Sequence, residues 1–207
     1  MYPVLEKGVK TIGSLQVRNR GTIGGNICTA APSADGIGPL LVLNTICEVS
    51  GITGSRQVPL ENFFTGPKQT VLEDDEILTS ILIPPVPYKY GGAYFKYGRR
   101  NAMEIALLGI SVYLVVAEDN KTCTDIRIAL TTSAPTPIRV GKTENFLKGK
   151  DLTNYDNLSE AGKVVLTEAK PRSSWRSSAE FRYELLEKLV PRTIKTAFSR
   201  AVDEGNK

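Results

Sequence analysis

The stretch that most constrains this 207-residue chain is Gln16-Val17-Arg18-Asn19-Arg20-Gly21-Thr22-Ile23-Gly24-Gly25-Asn26. Three glycines fall within five residues, interleaved with Thr22 and Asn26 and preceded by two arginines. Without a Cβ, glycine reaches positive φ and lets the backbone come close to another surface. Consecutive N–H groups in such a turn can converge on an anion. Thr22 and Asn26 add short side chains that bond backbone or ligand oxygens.

A second polar cluster follows, Ala31-Pro32-Ser33-Ala34-Asp35-Gly36, and then an apolar run over 37–43. That order reads as a helix start with donors facing outward. Two readings stand side by side: a cradle for phosphate and ribityl oxygens, or a tight turn joining two core elements. The glycines alone leave both open.

Length suits one large domain or two small ones. Hydrophobic residues make up 41% and charged residues 23%, so a packed core is expected rather than disorder. No apolar run approaches the ~20 residues that cross a bilayer, and no secretory or transit segment is visible. The charge of +4, from 26 basic and 22 acidic residues, is too mild for a nucleic-acid footprint. There is no histidine. That excludes Ser-His and Cys-His nucleophiles, most zinc sites and a flavin tethered through histidine. Cys28, Cys47 and Cys123 lie far apart with no C-x-x-C spacing, so this chain is not expected to hold an iron–sulfur cluster or a redox thiol pair. They read as buried reduced thiols in a cytoplasmic protein, with Cys28 the one that could face a ligand.

Periodicity predicts a helix over 4–15 that frays at Gly13-Ser14, a short buried helix over 37–44, and a β-hairpin from strands over 46–50 and 57–60. Phe63 and Phe64 are expected to pack under a loop. The acidic run Glu73-Asp74-Asp75-Glu76 reads as a solvated turn before a strand over 77–83. Pro84, Pro85, Pro87 and Gly91-Gly92 mark a domain boundary, giving domains 1–88 and 89–207. The second part should hold strands over 93–98, 105–116 and 124–131, then helices over 143–147 and 158–168. A long amphipathic helix should begin near Ser178, with Phe181, Leu185, Leu189, Ile194 and Phe198 facing the core and Pro191 kinking or splitting it. Its basic residues, Arg182, Lys188, Arg192, Lys195 and Arg200, read as a wet face.

Several segments, in order, resemble one family. The Gln16–Ile27 stretch with Pro32-x-x-Asp35 is similar to the second flavin-binding motif of the molybdenum hydroxylases, the xanthine dehydrogenase and carbon monoxide dehydrogenase flavoproteins. Val58-Pro59-Leu60-x-x-Phe63-Phe64-x-Gly66, Glu76-Ile77-Leu78, Phe95-Lys96 to Arg99-Arg100, Met103-Glu104-Ile105-Ala106 and Arg176-Ser177-Ser178-Ala179-Glu180-Phe181-Arg182 resemble later parts of the same proteins.

The resemblance implies an α+β fold: the second subdomain of a two-subdomain FAD-binding domain, then an antiparallel three-stranded sheet packed with helices. It implies non-covalent FAD. Thr22, Ile23 and the amides of Gly24, Gly25 and Asn26 would face the pyrophosphate or ribityl oxygens, and Asp35 the flavin's polar middle. The Leu78 backbone would meet adenine, and Lys96 the isoalloxazine edge. On its own, Lys96 reads as an exposed strand lysine. Molybdopterin and [2Fe–2S] centres would sit on two partner subunits, with electrons passing through FAD to an acceptor. The family's first Gly-rich pyrophosphate loop is not in this sequence, so a fragment or a shortened gene product is expected. The competing reading is a subunit-docking module without chemistry.

Overall fold

The computed structural model describes residues 2–87, 90–100 and 103–204. Helix α1 (Pro3–Lys10) takes up the first part of the helix expected over 4–15, and a second helix, α2 (Leu15–Arg20), begins where that one was to end. The break is local chemistry. Gly13 takes a φ of +48°, which a continuing helix cannot use, and Ser14 restarts the chain by accepting from the Val17 amide at 3.4 Å.

The glycine-rich stretch is also a helix, α3 (Ile23–Cys28), rather than a bare turn. Thr22 caps it in extended conformation, its Oγ1 accepting from the Gly25 amide at 2.9 Å. A buried apolar helix, α4 (Ile37–Val42), follows. The hairpin is β1 (Ile46–Gly51) and β2 (Gly54–Pro59), and β5 (Ile77–Leu82) adds to β1, giving an antiparallel order β2-β1-β5. Between β2 and β5 lie a 3-10 turn, Leu60–Asn62, and a small hairpin of β3 (Phe64–Gly66) and β4 (Gln69–Thr70). Phe63 is fully buried and meets Phe64 edge-on at 5.6 Å. The acidic run does turn the chain, yet one member is structural. Glu76 takes two bonds of 2.7 Å from Arg56 on β2, and these hold its carboxyl at about 2.

The second sheet is antiparallel, with order β6 (Gly91–Tyr97), β7 (Leu108–Val116), β8 (Cys123–Thr131), β9 (Ile138–Arg139). The fourth strand was not foreseen, because two residues directly after Pro135 and Pro137 carry no alternation to read. Both faces of this sheet are covered, which is why β7 is almost continuously apolar. Ile110, Val112 and Leu114 pack with α6 (Tyr155–Val164) and α7 (Ala179–Glu204). Tyr94, Tyr113 and Ala129 belong to the other cluster, with Val4, Leu40 and Leu41 of α1 and α4. Helix α5 (Gly141–Leu147) sits at the β8 and β9 side.

Helix α7 departs from expectation in three ways. Its fully buried line is Leu186, Val190, Ile194, Ala197 and Ala201; the expected Leu185, Leu189 and Phe198 pack partly buried beside it, whereas Phe181 is 39% exposed. The alanines let the helix backbone press on β6, where a Cβ at Gly91 would lie 1.8 Å from the Ala197 carbonyl oxygen. Pro191 neither splits nor ends the helix, which runs 26 residues. The carbonyl it leaves free, on Glu187, abuts α6 at Gly162, where a Cβ would stand 2.5 Å away. Finally, Arg182 is not on a wet face. It is 5% exposed and donates to the Leu107 and Thr132 carbonyls at 2.6 and 3.2 Å, and burial lowers its pKa.

Candidate functional site

Helix α3 overlooks a cleft of about 600 Å³, lined by Val9, Ile12, Arg18, Arg20, Thr22, Ile23, Gly25 and Asn26 among others. The expected amide set changes here. The Gly25 N–H is taken by the Thr22 hydroxyl and the Asn26 N–H by the Thr22 carbonyl. Neither amide points at the cleft, because a capped helix consumes them. The first N–H groups of the helix, on Ile23 and Gly24, have no intrahelical acceptor. Gly24 turns the position of its missing side chain toward Leu78, where a Cβ would sit 3.8 Å from Leu78 Cδ2. No neighbour therefore forces a glycine there. Leu78 lies on β5, an outer strand of its sheet, beside α3.

The cleft is cationic. Arg18 is tied to the Ile12 carbonyl at 2.8 Å, and Lys10 pairs with Glu6. Arg20 makes no ion pair among the described residues. Asn26 Oδ1 is buried without a hydrogen-bond partner, which is costly unless something donates to it. Val17 and Ile23, which line this opening, expose 50% and 40% of their surfaces. Cys28, at the far end of α3, is exposed, contrary to the expected burial; Cys47 and Cys123 are buried, with thiols pushed up to about 11 and about 12.

A second cleft, of about 320 Å³, shares Ile12, Val17 and Asn26 with the first and holds Asp35, Glu104 and Ile105. Asp35 precedes α4 and is 6% exposed. Its Oδ1 accepts from the Tyr94 hydroxyl at 2.7 Å and its Oδ2 from Lys96 Nζ at 2.7 Å. Lys96 also donates to the Thr11 carbonyl at 3.0 Å. Tyr94 and Lys96 alternate onto one face of β6, so the strand, the end of α1 and the turn before α4 are pinned together. Burial pushes the Asp35 carboxyl above its ordinary value against the pull of Lys96 and Tyr94. Burial and the neighbouring carboxylate push the Tyr94 phenol up. Asp35 is thus an internal anchor that also lines the second cleft. Lys96 is not an exposed strand lysine: its side chain is 13% exposed, and two of its three donors are spent.

Of the residues expected at the site, Thr22, Ile23, Gly25 and Asn26 share the first cleft, and Asn26 joins it to Asp35 in the second. Gly24 and Leu78 meet beside it. Tyr94 and Arg20 went unrecognised. The alternation Tyr94-x-Lys96 and the spacing Arg20-x-Thr22 were the available signals. No group of His, Cys, Asp and Glu able to hold a metal occurs among the described residues.

A two-part α+β chain with a cationic cleft under a glycine-rich helix fits a nucleotide-binding redox subunit. Comparison narrows the class. Residues 1–86 match the model of the FAD binding domain in molybdopterin dehydrogenase, and residues 93–197 that of the CO dehydrogenase flavoprotein C-terminal domain. The xanthine dehydrogenase FAD-binding subunit of Escherichia coli O157:H7 is 38% identical over 96% of this chain and 68% of its own length. The carbon monoxide dehydrogenase medium chain of Hydrogenophaga pseudoflava is 32% identical over the same shares, 96% and 68%. Among solved structures, carbon monoxide dehydrogenase from H. pseudoflava superposes with a TM-score of 0.90 at 31% identity, over 96% of this chain and 68% of that one. Quinoline 2-oxidoreductase from Pseudomonas putida 86 gives 0.87 at 26%, over 97% and 68%. The chain belongs to the family of FAD-binding medium subunits of xanthine and carbon monoxide dehydrogenases. It spans 68% of the length of these relatives.

The residues present suit FAD in part. An uncommitted arginine and two helix-terminal amides suit a diphosphate, and an orphaned buried amide oxygen suits a hydroxyl donor.

Proposed function

We propose that this chain is the FAD-carrying component of a molybdenum hydroxylase and relays electrons from iron–sulfur centres on a partner subunit to an acceptor. The relatives' names, and the buried, unpartnered Asn26 Oδ1 between the two clefts, support this reading. Bound flavin would supply the two-electron chemistry. The chain's own residues bind, orient and exclude water. The Ile23 and Gly24 amides and Arg20 hold the diphosphate, and Thr22 keeps that helix end formed. Asn26 accepts from a ribityl hydroxyl. The open edge of β5 at Leu78 meets the adenine. Lys96 keeps one ammonium donor for the isoalloxazine edge, while Asp35, Tyr94 and Thr11 fix its position. Residues 1–88 would form the flavin-facing part and 89–207 the C-terminal part. Partners are an iron–sulfur subunit and a molybdopterin subunit, and the setting is cytoplasmic; no described helix is long and apolar enough to cross a membrane.

The test is the complex purified with its partner subunits. Flavin absorbance that bleaches on adding reducing substrate is expected. A complex that assembles without flavin overturns the reading in favour of a docking module.

A further inference from the structure

The side of the C-terminal sheet near the start of α7 carries a feature that the flavin site does not use. Trp175, the chain's single tryptophan, is 78% exposed. It is nevertheless held firmly: Ser174 and Ser177 exchange backbone bonds of 2.9 and 3.2 Å around it. The Arg176 guanidinium lies 4.5 Å from its ring centroid and that of Arg99 lies 5.8 Å away. Arg99 is fixed in turn by a bond to the Arg176 carbonyl at 2.5 Å. Arg172 is exposed, and with Arg176 it depresses the pKa of buried Arg182. None of these four arginines has a carboxylate partner among the described residues. Glu180, close in sequence, is committed to its own helix start and Ser178.

We propose that Trp175 with Arg99 and Arg176 is a docking surface for the carboxylate-bearing face of a partner subunit. The proposal rests on reading the chain as one subunit among several. Charge complementarity selects the occupant: guanidinium forks bind carboxylates in paired fashion, and tryptophan and arginine are the residues that dominate interface energetics. A nucleobase is disfavoured because Arg176 already lies over the indole face on which it would stack. A bilayer is disfavoured because Ser173, Ser174, Ser177 and Ser178 flank the indole and supply no apolar rim. Glu104 and Ile105, shortly after Arg99 in the chain, line the cleft that holds Asp35.

Trp175 emission reports the patch directly. The full chain is titrated with poly-L-glutamate, with a DNA oligonucleotide and with phosphatidylserine vesicles, and an Arg99→Gln/Arg176→Gln double variant is run beside it. A saturable emission change with poly-L-glutamate is expected, abolished by high salt and weakened at least about tenfold in the double variant. Arg99 is exposed and Arg176 half-exposed, and neither makes an ion pair among the described residues, so the double variant should stay folded, which a cooperative melting transition checks. An unmoved emission, an equal response in the double variant, or tighter binding of DNA or vesicles overturns the proposal. FAD uptake measured on the same samples is independent: its loss would sink the flavin assignment and leave this surface standing.

Discussion

At the scale of single residues, Asp35, Lys96 and Tyr94 form a largely buried ion pair and hydrogen-bond cluster. A buried carboxylate stripped of its cation is left uncompensated. Lys96→Met should therefore cost about 3–5 kcal/mol in denaturant unfolding, more than the loss of one surface charge. An effect within the ~0–1 kcal/mol of an exposed pair would show that Lys96 is solvated instead. The sequence made Asp35 and Lys96 visible separately, through the Pro-Ser-x-Asp turn and the aromatic strand. Their pairing was not legible, because they lie far apart in the chain and only the fold brings β6 against the turn before α4. The same limit hid the fate of the Gly25 and Asn26 amides. Whether a Gly-rich run is bare or capped depends on Thr22 adopting an extended conformation, and composition does not encode that choice.

At the scale of elements, close backbone approach decides where glycine is required. Gly162→Ala would drive a methyl into the Glu187 carbonyl and Pro191, and should cost ~1–3 kcal/mol or more through displacement of α6 from α7. A melting temperature equal to the wild type would show that the two helices are looser than described. The hairpin sheet has a pH signature. Glu76 titrates at about 2 when folded against an ordinary 4.5, so its bond with Arg56 stabilises the fold above pH 4.5 and is lost as pH falls from there toward 2. Wild type should out-melt Glu76→Gln at neutral pH and converge with it near pH 2; a gap that persists at acid pH would refute the role. The hairpin, β7, β8 and α4 were readable from alternation and apolar runs. The continuity of α7 through Pro191 was not, because a neighbouring helix, rather than the local sequence, accommodates the proline.

At the scale of the molecule, the sheet β6–β9 is shared. One face joins α6 and α7, while Tyr94, Tyr113 and Ala129 on the other join the core of α1 and α4. Cutting at the proline cluster would bare that second face, so a single calorimetric transition is expected for the whole chain, and residues 90–204 alone should expose apolar surface and bind a hydrophobic dye. Two well-separated transitions would contradict this. The most direct measurement is an FAD titration followed by flavin fluorescence, comparing wild type with Arg20→Ala and Thr22→Val. Saturable quenching, weakened roughly tenfold or more by either substitution, is expected if the α3 cleft holds the diphosphate. Quenching of equal affinity in all three proteins, or none in the wild type, would contradict it.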